Sequence, residues 1–342
     1  MRSGIVHRSN KFDVYENLAI EKCLLHVCKM ECMPILYLWQ NEKAVVIGKN
    51  QNAYTECNVE FAKNNGVSIA RRITGGGAVY HDRGNINYSI ILPKQIYNKE
   101  YSTNVIIKAL KQLNLNVEKT GRNDICLNGK KISGNAYYTN ESVGLHHGTI
   151  IHRNDPMTME KLLTVSKSKL TKHGIASVRT RVGDIVSIQP SILVEDVMNA
   201  IEIAFVDEYK ISFVKRIEIN ENDLKKEMLI FSSEDWNMNK ICEYEMFLEK
   251  QFHWGNVRIS FLYDGIDLKK IEISSDALCM EQIDELKTML NDVLSDDGKI
   301  TSDLMILLNE SYDQGVFNDI ILIIKEFVDE RISCNDAKAG RK

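Results

Sequence analysis

Apolar positions along the chain recur in two rhythms. Between residues 15 and 30, in YENLAIEKCLLHVCKM, they return every three or four residues, which predicts an amphipathic helix. PILYLWQ and KAVVIGKN are short runs rich in β-branched and aromatic residues and predict strands. A helix is expected near 55–65, followed by a strand in VSIARRI. AVYH and NINYSIILP predict two strands around a turn at DRGN, and a helix is expected at about 101–113. DICLNGKKISGNAYY holds two strand-like runs joined by Asn128-Gly129. That dipeptide marks a hairpin, because both central residues of a type I′ turn take positive φ. GLHHGTIIH predicts a further strand, a basic stretch KSKLTKHGIASVRTR follows, and a helix is expected at about 193–207.

Beyond residue 250 the texture changes. WGNVRISFLYDGIDLKKIEIS alternates like a hairpin, and helical patterns fill 279–331. Strands joined by hairpins with helices between them predict α+β domains with mixed or antiparallel sheets, not a doubly wound parallel sheet. With 342 residues and 44% hydrophobic content the chain can fill two cores. The expected division is a domain at 1–246, a linker at about 247–251, and a small α+β domain at 252–342.

Charge narrows the class. The chain has 43 basic and 47 acidic residues, a net charge of −4, which is not the balance of a protein that coats nucleic acid or a membrane surface. A small partner, or one bound through a local patch, is expected instead. No run approaches the ~18 apolar residues of a membrane span, and the opening MRSGIVHRSNKFDVYENLAI carries no apolar leader core, so a cytoplasmic location is expected. The eight cysteines include no CxxC pair and read as reduced thiols.

The chemistry concentrates in three segments. RRITGGGAVYHDRGN, residues 71–85, sets three consecutive glycines after two arginines. Glycine within regular structure costs roughly 0.5–1 kcal/mol relative to alanine, so the run implies a sharp bend or a close approach to the backbone. It has neither the spacing of a phosphate-cradling P-loop nor that of a dinucleotide fold. Bare backbone N–H groups and guanidinium forks nevertheless suit an anion, the plainer reading being a β-turn flanked by surface arginines. TGRNDICLNGKKISGNAYY supplies Arg122, Asn123 and Asp124 at one strand end and Lys130 and Lys131 across the hairpin. Neighbouring strand residues face opposite ways, so one of the two lysines should look inward. Asp124 could hold Mg²⁺, which favours one or two carboxylates plus phosphate oxygens. His146 and His147 also face opposite ways and read as structural or pocket-lining residues, not as zinc ligands.

Taken in order and spacing, RRITGGGAVYHDRGNINYS, GRNDICLNGKKISGNAYY and HHGTIIH resemble the lipoate–protein ligases. The likeness extends to NLAIEKCLL, LYLWQNEKAVVIGKNQNAYTECN and GIASVRTRV, covering roughly residues 10–190, with weaker echoes in HWGNVRISF. It implies a catalytic domain of the biotin/lipoate ligase type and a small C-terminal accessory domain, which is expected to reorient between steps. The implied reaction condenses lipoate with ATP to lipoyl-adenylate and pyrophosphate. The acyl group then passes to a lysine ε-amino group on a lipoyl carrier domain, in a 2-oxoacid dehydrogenase E2 subunit or a glycine cleavage H protein. ATP and Mg²⁺ are implied as co-substrate and ion, with no tightly bound prosthetic group.

The resemblance also implies roles by position. Arg72 would contact the nucleotide phosphate and the lipoate, and Gly75 and Gly76 would wrap the lipoate. Gly77, Ala78, Val79 and Tyr80 would line the adenylate. Lys131 corresponds to the catalytic lysine bridging the carboxylate and the α-phosphate. Asn123 and Asp124 fall at the adenylate and magnesium end, Trp39 and His147 flank the acyl pocket, and Lys167–Arg181 corresponds to a mobile closing loop. Thr74 stands where serine is common, and Asn135 stands in SGNA. The alternatives are an acyltransferase using Cys126 and a non-catalytic lipoyl-adenylate binder; biotin ligases are disfavoured because their basic glycine loop is absent.

Overall fold

Alternation along NINYSIILP sets the architecture. In the computed structural model, which describes residues 2–121, 123–164, 182–238, 246–264, 267–278, 280–293, 306–308 and 315–339, this run is β6 (Asn85–Pro93) and is buried along its whole length. Ile86, Tyr88, Ile90 and Leu92 pack on one face against Val105, Ile106 and Leu110 of α4 (Lys99–Gln112) and Ile201 and Phe205 of α6 (Val194–Glu208). Ile91 packs on the other face with Leu18, Leu24 and Leu25 of α1 (Val14–Glu31). Each such fully buried aliphatic side chain stabilises the fold by ~1.5–3 kcal/mol relative to exposure.

The chain forms two compact units, Met1–Asn239 and Lys240–Lys342. In the first, β6 lies within an eight-stranded mixed sheet of order β11-β1-β2-β6-β10-β9-β8-β7. Its other strands are β1 (Arg2–Arg8), β2 (Ile35–Trp39), β7 (Val117–Thr120), β8 (Asp124–Leu127), β9 (Lys130–Thr139), β10 (Val143–Ile151) and β11 (Ile211–Lys215). A smaller sheet of order β4-β3-β5 consists of β3 (Ala44–Ile47), β4 (Ser68–Arg71) and β5 (Val79–His81). The glycine run joins β4 to β5, and α5 (Pro156–Leu162) and α8 (Glu234–Met238) are short helices of the same unit.

The α+β expectation is met, and the boundaries show what local chemistry decides. Asp13 caps α1 by accepting from Glu16 N–H, and Asn98 caps α4 in the same manner. Asn128 and Gly129 have φ of 50° and 74°, the positive pair a type I′ turn needs. The single helix expected near 55–65 is instead two, α2 (Ala53–Glu56) and α3 (Val59–Asn64). Cys57 is extended between them, and the Asn58 side chain starts the second by accepting from Phe61 N–H.

In the second unit, β12 (Met246–Gln251), β13 (Asn256–Asp264) and β14 (Asp267–Ser275) form an antiparallel sheet packed with α9 (Met280–Val293) and α10 (Gly315–Ala339). Val257, Ile259 and Phe261 meet Ile273, Leu286 and Ile320 in its core. The stretch expected as a linker, about 247–251, lies inside β12, where Met246 and Leu248 turn toward that core at the two-residue strand period. Among the described residues no helix is long and apolar enough to cross a membrane.

Candidate active site

Arg72 organises the glycine run. It is buried, and its Nε donates to Thr74 Oγ1 at 3.0 Å, its Nη1 to Val46 O at 3.0 Å, and its Nη2 to Gly75 O at 2.7 Å and Gly77 O at 2.9 Å. Burial pushes its pKa down to about 10, which leaves it a cation at neutral pH. In a trans peptide the C=O and the following N–H point opposite ways. Drawing the Gly75 and Gly77 carbonyls onto Arg72 therefore turns the N–H groups of Gly76 and Ala78 away from it. Arg72, expected at the nucleotide phosphate, holds its guanidinium on oxygens of the glycine run and of β3.

Arg71 braces the same region from the other side. Its Nε donates to Trp236 O at 2.7 Å and its Nη1 to Lys49 O at 2.9 Å, while Trp236 Nε1 donates to Arg71 O at 2.8 Å. Gly48 supplies the space. A Cβ there would stand 2.2 Å from Gly76 O, and Gly76 itself has φ of 92°. Past the glycines, Ala78 and Tyr80 pack with Val45 and Ile47, while Val79 packs on the opposite side with Trp39 and Val46.

The hairpin β8–β9 carries the second cluster. Lys130 is exposed, and Lys131 turns its Nζ to Asp124 Oδ1 at 2.8 Å with its side chain 34% exposed. A Cβ on Gly134 would lie 3.2 Å from Lys131 Nζ, so a side chain there would press the lysine aside by a few tenths of an ångström. Asn123 is held by Asn135: Asn135 N and Nδ2 both donate to Asn123 O at 2.9 Å, and Asn123 Nδ2 donates to Asn135 O at 2.8 Å. Asn135 Oδ1 in turn accepts from the Tyr88 hydroxyl and from His146 Nε2, the latter at 2.7 Å. His146 is thus a buried support of the turn, and burial holds its pKa down at about 3. Gly183 N donates to Lys131 O at 2.9 Å where the chain re-enters after the basic stretch. Arg122 and Lys167–Arg181 lie outside the described residues.

His147 faces the other side of the sheet, as neighbouring strand residues must. Its Nε2 lies 2.7 Å from Thr74 Oγ1 and its Nδ1 lies 2.8 Å from Glu21 Oε1. The Ser89 hydroxyl also donates to Glu21 Oε1, and Trp39 Nε1 donates to Ser89 Oγ at 3.2 Å. This buried chain of contacts ties the glycine run, through Thr74, to α1 and to three strands of the large sheet.

Strand register defines the floor between these clusters. Trp39 pairs with Asn87 and Asn87 with Thr149, while Thr149 Oγ1 accepts from Gly134 N at 3.2 Å. The row thus crosses from β2 through β6 and β10 to β9, three strand spacings or ~14 Å. Lys131 stands at the β9 end and Trp39 at the β2 end, with Thr74 and His81 lying against the same face. Trp39, His147 and the glycine run are therefore brought together, Lys131 and Asp124 meet at one end of the row, and Asn123, next to Asp124 in sequence, is held by Asn135. Cys126 is buried with its Sγ 3.0 Å from Thr120 Oγ1. Among the described residues no group of three or more His, Cys, Asp and Glu side chains is placed to hold a metal ion.

Sequence reasoning missed Gly48, Glu21, Ser89 and Thr149. Glu21 left a signal: it falls four residues after Asn17, on the helix face that also presents Leu18, Leu24 and Leu25. A carboxylate on an apolar stripe needs a buried partner. Gly48 left none, because the atoms that exclude a side chain there belong to a loop more than twenty residues away.

A large mixed sheet whose lysine-bearing hairpin shares a face with an arginine-clamped glycine run defines the lipoate/biotin ligase type of catalytic fold. The chain belongs to the lipoyl protein ligase A/B catalytic domain family, whose model matches residues 13–206. Residues 242–321 match the bacterial lipoate protein ligase C-terminus. Among solved structures it is similar to P. falciparum LipL1 in complex with lipoate, at 29% identity and a TM-score of 0.79 over 94% of this chain and 99% of that one. It is also similar to the bipartite lipoate protein ligase of Thermoplasma acidophilum, studied with its E2 lipoyl domain, at 25% identity and a TM-score of 0.63 over 72% of this chain and 100% of that one. A lipoate-protein ligase A bound with ATP matches at 25% identity and a TM-score of 0.60, covering 70% of this chain and 99% of that one.

Proposed function

We propose that this protein activates free lipoate with ATP and transfers the lipoyl group to a lysine of a lipoyl carrier domain, in an E2 subunit or an H protein. The observation that carries the reading is the ~14 Å floor that runs from Lys131 to Trp39 beneath the glycine run. Such a floor takes a medium-length acyl chain with its carboxylate at the lysine. Lipoate and ATP appear with members of this family in the solved relatives.

In the first step a lipoate carboxylate oxygen attacks the α-phosphorus and pyrophosphate leaves. Two anions must meet, so cations aimed at the developing charge supply most of the acceleration. Lys131 Nζ is that cation, and Asp124 orients it. The outward N–H groups of Gly76 and Ala78 add donors for phosphate or carboxylate oxygens, and Arg72 acts by shaping the loop that aims them. Gly77, Val79 and Tyr80 line the adenylate through the backbone of that loop and strand. A Mg²⁺ ion fits Asp124, a partly exposed carboxylate whose Oδ1 meets Lys131 Nζ, because that ion takes one or two carboxylates together with phosphate oxygens. When bound it would neutralise phosphate charge. In the second step the carrier's neutral amine attacks the acyl carbonyl and AMP leaves; holding both reactants in one cleft supplies the entropic part.

The test is pyrophosphate release on mixing the protein with ATP, Mg²⁺ and lipoate, then mass spectrometry of an added lipoyl domain. Pyrophosphate together with a lipoyl-sized mass gain is the expected result. Pyrophosphate without transfer would mean an activating protein that needs a partner. ATP-independent transfer from a pre-acylated carrier, lost in Cys126→Ser, would overturn the adenylate reading.

A further inference from the structure

Two buried N–H donors beside Trp39 have no role in the reaction described above. The first is on His81, which is 2% exposed, and its proton can be located from neighbouring hydrogen bonds. Asn17 Nδ2 donates to the carbonyls of Lys11 and Gln40, which can only accept, so the orientation of that amide is fixed. Asn17 Nδ2 also reaches Asn41 Oδ1 at 3.0 Å, which makes Asn41 Nδ2 the donor to His81 Nδ1 at 2.9 Å. With Nδ1 accepting, the neutral ring carries its hydrogen on Nε2. Burial, with Arg72 and His147 close by, keeps this ring neutral. Among the described residues, His81 Nε2 has no hydrogen-bond partner.

The second donor is on Asn87, 1% exposed and paired in register with Trp39. Its Oδ1 accepts from Asn85 Nδ2 at 2.9 Å, and its Nδ2 has no partner among the described residues. The His81 and Trp39 rings meet edge to face with centroids 6.2 Å apart. Both donors therefore belong to the Trp39 end of the floor, at the far end of the row from Lys131.

Resting on the reading of this cleft as the lipoate site, we infer that His81 Nε2–H and Asn87 Nδ2–H form a polar subsite for the sulfur atoms of the dithiolane ring, making them specificity-determining residues for sulfur-bearing over saturated acyl chains. The carboxylate sits at Lys131, so the ring reaches Trp39. Sulfur is a weak acceptor, but it is the only acceptor the distal end of lipoate offers. An alkyl tail in the same place would leave both donors buried and unpaired, the arrangement by which a polar site rejects an analogue lacking its partner atom.

The experiment compares three acids of similar reach on the unmodified protein: lipoate, octanoate, and 5-cyclopentylpentanoate, which keeps the ring but replaces both sulfurs with CH₂. Pyrophosphate release measured with each acid in turn gives kcat/KM for each. Lipoate is expected to exceed both others by roughly tenfold, the two sulfur-free acids behaving alike. Equal use of lipoate and the carbocyclic acid would overturn the inference. In Asn87→Leu, similar in volume, the ratio of lipoate to octanoate should fall toward one, mainly because octanoate improves. An unchanged ratio in a folded, active Asn87→Leu protein would overturn it too. Pyrophosphate from none of the three acids would refute the ligase reading, a failure distinguishable from a ligase that ignores sulfur.

Discussion

Gly48→Ala is expected to damage the active site although Gly48 lies outside the glycine run. The new Cβ would stand 2.2 Å from Gly76 O and 3.2 Å from Gly75 C. Non-bonded carbon contacts are comfortable at about 3.5–4.0 Å, so the overlap exceeds ~1 Å. Neither partner is a flexible side-chain end. The run is pinned by Arg72 at Gly75 and Gly77 and by Thr74 to His147, so it must move as a piece or force strands β3 and β5 to yield. Overpacking of this size costs ~1–3 kcal/mol. Displacing the Gly76 and Ala78 N–H groups by ~1 Å costs on the order of 100-fold in rate. Urea unfolding and steady-state pyrophosphate release on the same preparation separate the two effects. Gly77→Ala is the matched control: an added Cβ there meets nothing within 4 Å, so stability should be unchanged and any loss of activity would report ligand contact alone. A Gly48→Ala protein with the wild-type urea midpoint and rate would refute the packing argument.

Three further outcomes follow from the geometry. Lys131→Gln should lower pyrophosphate release by ~10²–10³-fold, while the partly exposed pair with Asp124 makes the stability change no more than ~1 kcal/mol; retained turnover would remove Lys131 from the chemistry. Glu21→Ala should cost about 1–3 kcal/mol for each buried donor it orphans, on His147 and Ser89, read as a lower urea midpoint. His81 and His146 both have pKa values lowered by burial to about 3 from an ordinary 6.5. The unfolded chain therefore binds the extra protons, so their stabilisation is complete above about pH 6.5 and is lost as pH falls toward 3. Between pH 7.5 and 5.5 each histidine should cost ~1.4 kcal/mol, and a urea midpoint flat across that interval would contradict the burial of both rings.

Much of the catalytic domain was legible because its elements carry local marks. α1 shows a helical period with a capping aspartate, Asn128-Gly129 requires its hairpin, and the alternation in β6 assigns its two faces. β1, β7, β11 and α7 (Glu221–Phe231) were not read. β7 and β11 are sheet edges of four and five residues, too short for a period to declare itself. β1 is held by parallel pairing to β2 and β11, which no neighbouring residue announces.

What the sequence by itself determined is the set of reactive parts and the class of fold: the arginine–glycine run, the hairpin with its two lysines, the opposed histidines, and strands joined by turns. Each follows from constraints within a few residues, namely positive φ, strand alternation and cap chemistry. Only the tertiary structure decided what those parts do to one another. It set Arg72 as a clamp on the Gly75 and Gly77 carbonyls, tied His147 to Glu21 from 126 residues away, and placed Gly48 against Gly76 O where a side chain would collide. It also left two N–H donors unpaired beside Trp39. The physical reason is shared: hydrogen-bond satisfaction and steric exclusion in a buried site are settled between chain segments distant in sequence, where no local pattern records the partner.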